Sequence, residues 1–263
     1  MKEKSWVCTL ITQLSLCVAA YFALNLGQPQ QKNSYRNILS QDRPLDMHFI
    51  SVAGGFRPLR EQTLLLKQMA NVVKIYNARV VVDISELGES DPLLNNATLY
   101  NYLQNIPWYT TGTLAGQGQT YFLKKFKIPN GRSLYIIAVD TTLFQDSSSV
   151  AGNDQIQWLR RTLNESNGDW RIVVGFHHLG SCDYKTRKLE EKHPFELLQN
   201  ILLHYGVDAY MSKDICAGNN EGFLLHRVSS LEMVTFFVKL TGETEHKLSF
   251  QQRDEAVRKG ASF

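Results

Sequence analysis

The chain has 263 residues, 43 % hydrophobic and 20 % charged, a balance that supports a buried core and excludes a disordered or fibrous polypeptide. The net charge of +3 is not gathered into a basic stripe interleaved with aromatics, so nothing in the composition points to nucleic acid as a partner.

Lys2 and Lys4 precede an apolar run from Ser5 to Leu26, roughly the length that spans a bilayer. Thr9, Thr12, Gln13 and Ser15 make it only moderately hydrophobic. Two targeting readings compete: an uncleaved signal anchor, and a signal peptide cleaved after the Val18-Ala19-Ala20 stretch. The length of the run favours the anchor. Residues 1–26 are therefore expected to form an N-terminal transmembrane helix of a single-pass protein of the secretory pathway or plasma membrane, its domain lumenal or extracellular. Cleavage would make the protein secreted. Lys32, Arg36 and Arg43 follow the span, so flanking charge does not fix orientation. Residues 27–44, rich in Gln, Asn and Ser and bounded by Pro29 and Pro44, read as a polar stalk.

From there the chain alternates. Met47–Ala53 is a predicted strand, and Pro58 opens a helix whose stripe is Leu65, Leu66, Met69, Val72, Val73 and Tyr76. Arg79–Ser85 is a near-continuous apolar run, as expected of a parallel strand covered on both faces. Asp91-Pro92 caps a second helix expected to reach about Asn105, and Trp108–Thr111 is extended. Tyr121–Ile128 and Ser133–Val139 flank Pro129-Asn130-Gly131, the mark of an antiparallel hairpin. A helix is predicted over Asp154–Asn164, a strand over Arg171–Phe176, a helix over Pro194–Tyr205 and a strand over Val207–Met211. Residues 223–251 read as two or three antiparallel strands, so the domain spans 45–252 and leaves a tail at 253–263. The class is α/β with added antiparallel strands.

Cys182 and Cys216 each follow a predicted strand; a disulfide between them and a pair of buried thiols both remain open. Asn96 and Asn164 begin N-glycosylation triplets.

Several blocks, in order, resemble the calcineurin-like metallophosphoesterases, and within them the purple acid phosphatases, including the small tartrate-resistant type. Val139-Asp140-Thr141 resembles that family's central strand end. Gln157-Trp158-Leu159, Leu163 and Asp169–Gly175 resemble its Gln-x-x-Trp-Leu helix and the strand that follows, and Tyr205–Tyr210 resembles its Tyr-Gly-Val strand. The resemblance covers about two thirds of the chain. It implies an α/β/β/α sandwich of two mixed sheets, and a pair of cations about 3.5–4 Å apart, held by Asp, His and Asn at strand ends, that activates water against a phosphate ester.

The ligand positions do not follow. Gly54 stands where the first Asp is expected, and Ser85-Glu86 replaces Gly-Asp. Leu114 falls in the Asn-His block, Phe176 replaces the next His, and Asp214, Ile215 and Cys216 replace Gly-His-x-His. Carbon side chains have no electron pair to give. Glu86, His177 and Asp214 are the weak metal candidates. Glu86 reads more readily as an exposed loop acid, and His177 and His178 as strand-end histidines. No cofactor is predicted; a centre of iron with iron, zinc or manganese belongs only to the alternative of a working phosphomonoesterase with a remodelled site. The expectation is a pseudophosphatase that binds an unidentified protein or, through Arg57 and Lys213, a small anion. The family's further strands after the last ligand block are also missing, because Cys216 runs almost directly into Gly222.

Overall fold

A computed structural model describes residues 12–16, 46–112, 121–128, 131–145, 149–166, 170–179, 195–213 and 222–252, without the side chains of 246 and 247. The chain divides into two units, Met1–Asp42 and Arg43–Phe263. In the first, residues 12–16 are helical with Leu14 and Leu16 exposed. Among the described residues no helix is long and apolar enough to cross a membrane, and most of the run 5–26 lies outside them.

The second unit is α/β, built on two mixed sheets. One has six strands in the order β10-β9-β8-β1-β2-β3 and the other four in the order β4-β5-β6-β7. β1 (Met47–Ala53), β2 (Val81–Ile84) and β3 (Trp108–Thr110) run parallel. β8 (Gly222–Val228), β9 (Glu232–Lys239) and β10 (Thr244–Gln251) continue that sheet antiparallel from β1. In the second sheet β4 (Phe122–Lys127) and β5 (Ser133–Ala138) form the expected hairpin, closed by Ile128 N–H donating to Arg132 O at 2.9 Å. β5, β6 (Trp170–Val174) and β7 (Ala209–Met211) are parallel.

Strand periodicity sorts the layers. Met47, Phe49, Val82, Ile84, Leu134, Ile136, Trp170 and Ile172 alternate inward and form one buried cluster between the sheets. The opposite residues of the four-stranded sheet, Ile137, Val139 and Val173, pack on α4 (Val150–Glu165) and α5 (Glu196–His204) through Leu159, Leu163, Leu198 and Ile201. α1 (Leu59–Tyr76) buries Leu65, Leu66, Met69, Val72, Val73 and Tyr76, the stripe read from the sequence, and ends at Asn77 in the left-handed conformation with φ 52°. Each fully buried side chain of this size contributes roughly 1.5–3 kcal/mol.

The structure corrects several boundaries. The single helix expected from Asp91 to Asn105 is two short ones, α2 (Pro92–Ala97) and α3 (Asn101–Gln104). Thr98 Oγ1 donates to Asn95 O, and Tyr100 is extended, so the side-chain bond competes with the helical ladder where Asn95 and Asn96 already weaken it. α4 begins earlier than predicted, at Val150, because Ser149 Oγ accepts from Gly152 N–H. β6 stops at Val174, so Phe176 and His177 stand on a bend beyond the strand and His178 follows it. β7 begins at Ala209, because Asp208 is drawn out to β6, where its Oδ2 accepts from Arg171 N–H at 2.8 Å. Asn96 lies within α2, half-buried, and Asn164 in the last turn of α4, exposed.

Candidate functional site

The carboxyl ends of β1, β2, β5, β6 and β7 are where an open α/β sheet presents ligand-binding loops. The structure brings the sequence-predicted positions together there. Gly54 N–H donates to Ile84 O at 3.0 Å, setting the end of β1 against that of β2. Lys213 N–H donates to Phe176 O at 3.3 Å, joining the ends of β6 and β7. Glu86 Oε1 lies 4.0 Å from His177 Nε2, so one loop from each sheet meets the other. Leu114, Cys182, Asp214, Ile215 and Cys216 lie outside the described residues.

Gly54 is the informative position. A Cβ built there would stand 2.3 Å from Asp83 Oδ1, 2.4 Å from Asp91 Oδ2 and 2.7 Å from Ser85 Cβ. The volume that a metal-binding aspartate would need is already filled by two other carboxylates. Asp91 caps α2 as the sequence indicated: Oδ1 accepts from Leu93 N–H at 2.7 Å, and Oδ2 accepts from Gly55 N–H at 2.6 Å and from Ser85 Oγ–H at 2.5 Å. Asp83 differs. It is fully buried, and neither carboxylate oxygen has a hydrogen-bond partner. Burial, then the neighbouring Asp91 charge, push its pKa well above the usual carboxylate range, and Arg57 only partly opposes them. Burial lowers the Arg57 pKa, while Asp91, Asp83 and Glu61 hold its charge in place, and its guanidinium donates to Ala53 O.

Sequence reasoning missed Asp83 as a site residue. The available signal was a lone charged residue inside an apolar strand.

The other candidates are held by structural partners. His177 is half-buried: Thr141 Oγ1 lies 2.7 Å from its Nδ1, Gln145 Nε2 lies 2.9 Å from its Nε2, and Phe195 stacks on the ring at 5.2 Å. Tyr210 O–H donates to His177 O at 2.6 Å, and burial raises the tyrosine pKa. His178 turns elsewhere, 3.5 Å from Ser212 Oγ. Glu86 is exposed. Phe176 carries the Lys213 ammonium 5.4 Å above its ring, and the same Nζ would lie 3.8 Å from a Cβ on Gly55.

A two-cation centre needs several converging carboxylates and imidazoles. Here the first position excludes any side chain, the fourth is a phenyl ring, and a guanidinium and an ammonium flank the mouth. Among the described residues no three His, Cys, Asp or Glu side chains are grouped to hold an ion. The described residues do not fit the centre that the family resemblance implies.

No family model and no curated protein matches the chain. Solved structures similar to it include GAP50, described as the anchor in the inner membrane complex of Plasmodium, with TM-score 0.60, 19 % identity, and coverage of 82 % of this chain and 94 % of that one. That likeness shows a shared fold. A single mutant of Vps29 from Entamoeba histolytica also aligns, with TM-score 0.40, 11 % identity, and coverage of 79 % of this chain and 100 % of that one. A predicted phosphoesterase from Streptococcus pneumoniae gives 0.39, 11 %, 79 % and 97 %.

Proposed function

We propose that this chain is a metallophosphoesterase-like scaffold of the purple acid phosphatase branch that has given up hydrolysis and acts by binding, held at a membrane by residues 5–26. The observation that supports this reading most is the space at Gly54. Its missing side chain is not a vacancy that a metal or a water fills, because Asp83 and Asp91 occupy the position. Restoring a ligand there would require moving two buried carboxylates. Electrostatics points the same way, since Arg57 and Lys213 supply fixed positive charge where a catalytic cation would have to enter. The same pair is the feature that could hold a small anion or an acidic side chain of a partner. The proposed placement is single-pass in the secretory pathway or plasma membrane, with the domain lumenal or extracellular. The anchoring role described for the Plasmodium protein of like fold motivates a membrane-bound binding function for this chain as well.

One observation favours a second reading, a phosphomonoesterase with a remodelled site: Glu86 and His177 approach to 4.0 Å across the two sheets. A single experiment separates the two. The full chain is expressed in membranes, extracted, and assayed for metal content and phosphomonoesterase turnover with and without added iron, zinc and manganese. We expect folded, membrane-extracted protein without stoichiometric metal and without turnover. Two tightly held ions per chain with turnover would refute the pseudoenzyme reading, and release by alkaline carbonate would refute the anchor.

A further inference from the structure

Beside β7, on the inter-sheet face of the six-stranded sheet, lies a cavity of about 620 Å³. It adjoins the strand ends, where Ile84, His178 and Ser212 line it, but none of Asp83, Glu86 and Asp91 does. Its lining is mainly apolar, with Leu202 from α5, Met211 from β7, and Leu224, Leu248 and Phe250 from β8 and β10, while His178, Gln199 and Ser212 add polar groups to its walls. The volume falls in the range of small-molecule sites, and the lining has their usual make-up of many apolar groups and few polar ones.

The polar groups at the floor form one chain. Ser51 Oγ lies 2.7 Å from His226 Nε2, and Thr235 Oγ1 lies 2.9 Å from His226 Nδ1. The three residues come from adjacent strands β1, β8 and β9: His226 is in register with Thr235 and with Phe49, on which its ring stacks at 4.4 Å, and Ser51 is its diagonal neighbour. Burial pushes the His226 pKa down to about 3, so the ring is neutral at physiological pH. A neutral imidazole has one N–H and one bare nitrogen. One flanking hydroxyl therefore donates to the ring and keeps an acceptor lone pair, while the other accepts from it and keeps a proton to give. Exchanging the tautomer exchanges these roles. No Lys or Arg lines the cavity; its one carboxylate, Asp208, already accepts from Arg171 N–H. An anion buried there would meet no lysine or arginine, only the imidazole of His178 beside Ser212.

The triad-like order does not make Ser51 a nucleophile. The neighbouring backbone of β1 pairs with β2 and β8 and leaves no N–H free to hold an oxyanion, and the third member is a hydroxyl rather than a carboxylate.

We propose that this cavity is a binding site for an uncharged, largely hydrocarbon small molecule carrying one hydroxyl or carbonyl group, which seats that group on the Ser51–His226–Thr235 chain and its hydrocarbon between β7 and the sheet floor. The site is independent of whether the strand ends ever hold metal.

The test uses the full chain and three probes of equal length, decanol, decanone and decanoate, read by calorimetry and by thermal shift near neutral pH. Decanol and decanone bind saturably at one per chain and raise Tm; decanoate binds at least about tenfold more weakly, the counterpart of about 1.4 kcal/mol. Met211→Trp fills the cavity and abolishes decanol binding. Thr235→Val weakens decanol about tenfold and leaves plain decane unchanged. Absence of saturable binding by the uncharged probes, decanoate binding as tightly as decanol, or undiminished binding to a folded Met211→Trp variant would each overturn the proposal. Should that variant fail to fold, the comparison of the three probes on the native chain still decides.

Discussion

Replacing Asp83 by Asn tests whether the first ligand position has been converted into a buried acid pair. Asp83 Oδ1 and Asp91 Oδ2 lie 2.3 and 2.4 Å from one point, the Cβ position of Gly54, so they are closer together than the sum of those distances. Two carboxylate charges about 5 Å apart, at an effective dielectric near 20, repel by roughly 3 kcal/mol. Asp91 accepts from three donors and Asp83 from none, so the proton resides on Asp83. Its folded pKa is raised, by burial first and by Asp91 second, with Arg57 opposing. The sign follows from proton counting. Above about pH 4 the unfolded chain has released this proton and the folded chain has kept it, so stability falls as pH rises toward the folded pKa, by at most about 1.4 kcal/mol per pH unit. Asn does not titrate, and its amide can donate to Asp91. The stability of Asp83→Asn minus that of the native chain, from urea unfolding, is therefore expected to grow with pH from about pH 4 upward. Taking the difference removes the titrating groups remote from the pair, His226 included, and leaves Asp83 with the two groups coupled to it, Asp91 and Arg57. A difference that stays flat across pH, or one that shrinks, would refute the acid-pair argument.

Three further outcomes follow from the same geometry. Gly54→Ala is expected to cost about 1–3 kcal/mol in urea unfolding, because its methyl meets two carboxylate oxygens and Ser85 Cβ inside contact distance; a loss under about 0.5 kcal/mol would show that the carboxylates yield freely. His226 has its pKa depressed from 6.5 to about 3, so the stability it contributes is present above about pH 6.5 and is lost as pH falls toward 3, of order 5 kcal/mol in all; His226→Gln is expected to flatten that acid limb, seen in unfolding free energies between those pH values. Glu86→Ala is expected to change stability by no more than about 0.5 kcal/mol, since the acid is exposed and its contact with His177 is long; a larger loss would mean that the two loops depend on this pair.

The layers were legible in the sequence because each run of residues carries its own period. The stripe of α1, the continuous apolar run of β2 and the pair of strands flanking Pro-Asn-Gly state their environment locally, and the structure agrees on the helix, the parallel strand and the antiparallel pairing of β4 with β5. Asp91 was legible as a cap for the same reason, since the cap and the donor it satisfies are two residues apart. The break at Thr98 was not, because apolar spacing runs through it and only a hydroxyl-to-carbonyl bond tells against the helix. Asp83 was hidden by its surroundings: an apolar run reads as strand, and its one acid looks like noise until Gly54 shows where it lies. The Ser51–His226 pair spans 175 positions, and only the antiparallel register of β1 with β8 brings the two together.

Under the proposed descent, the strand-end site and the cavity share one short connection. β7 ends at Met211 and β8 begins at Gly222, and among the described strands β7 has β6 as its only neighbour. The six-stranded sheet has two strands more than the four-stranded one, so its inner face runs on beyond β7 with no partner strand above it among the described residues. In the family that the sequence resembles, the segment after the last ligand block supplies further strands. Under the proposed descent, omitting them removes the ligands carried by that loop and in the same step uncovers Leu248 and part of Leu224, while Phe250 keeps its contact with Trp170. Apolar surface so exposed is unfavourable unless something covers it, at about 25 cal/mol for each Å² left in water. A chain that had merely decayed would gain from polar substitutions on this floor, and would have no need of a neutral hydroxyl–imidazole–hydroxyl line at its base. The floor is instead apolar except along that line, the composition of a surface that meets a hydrocarbon with one polar group.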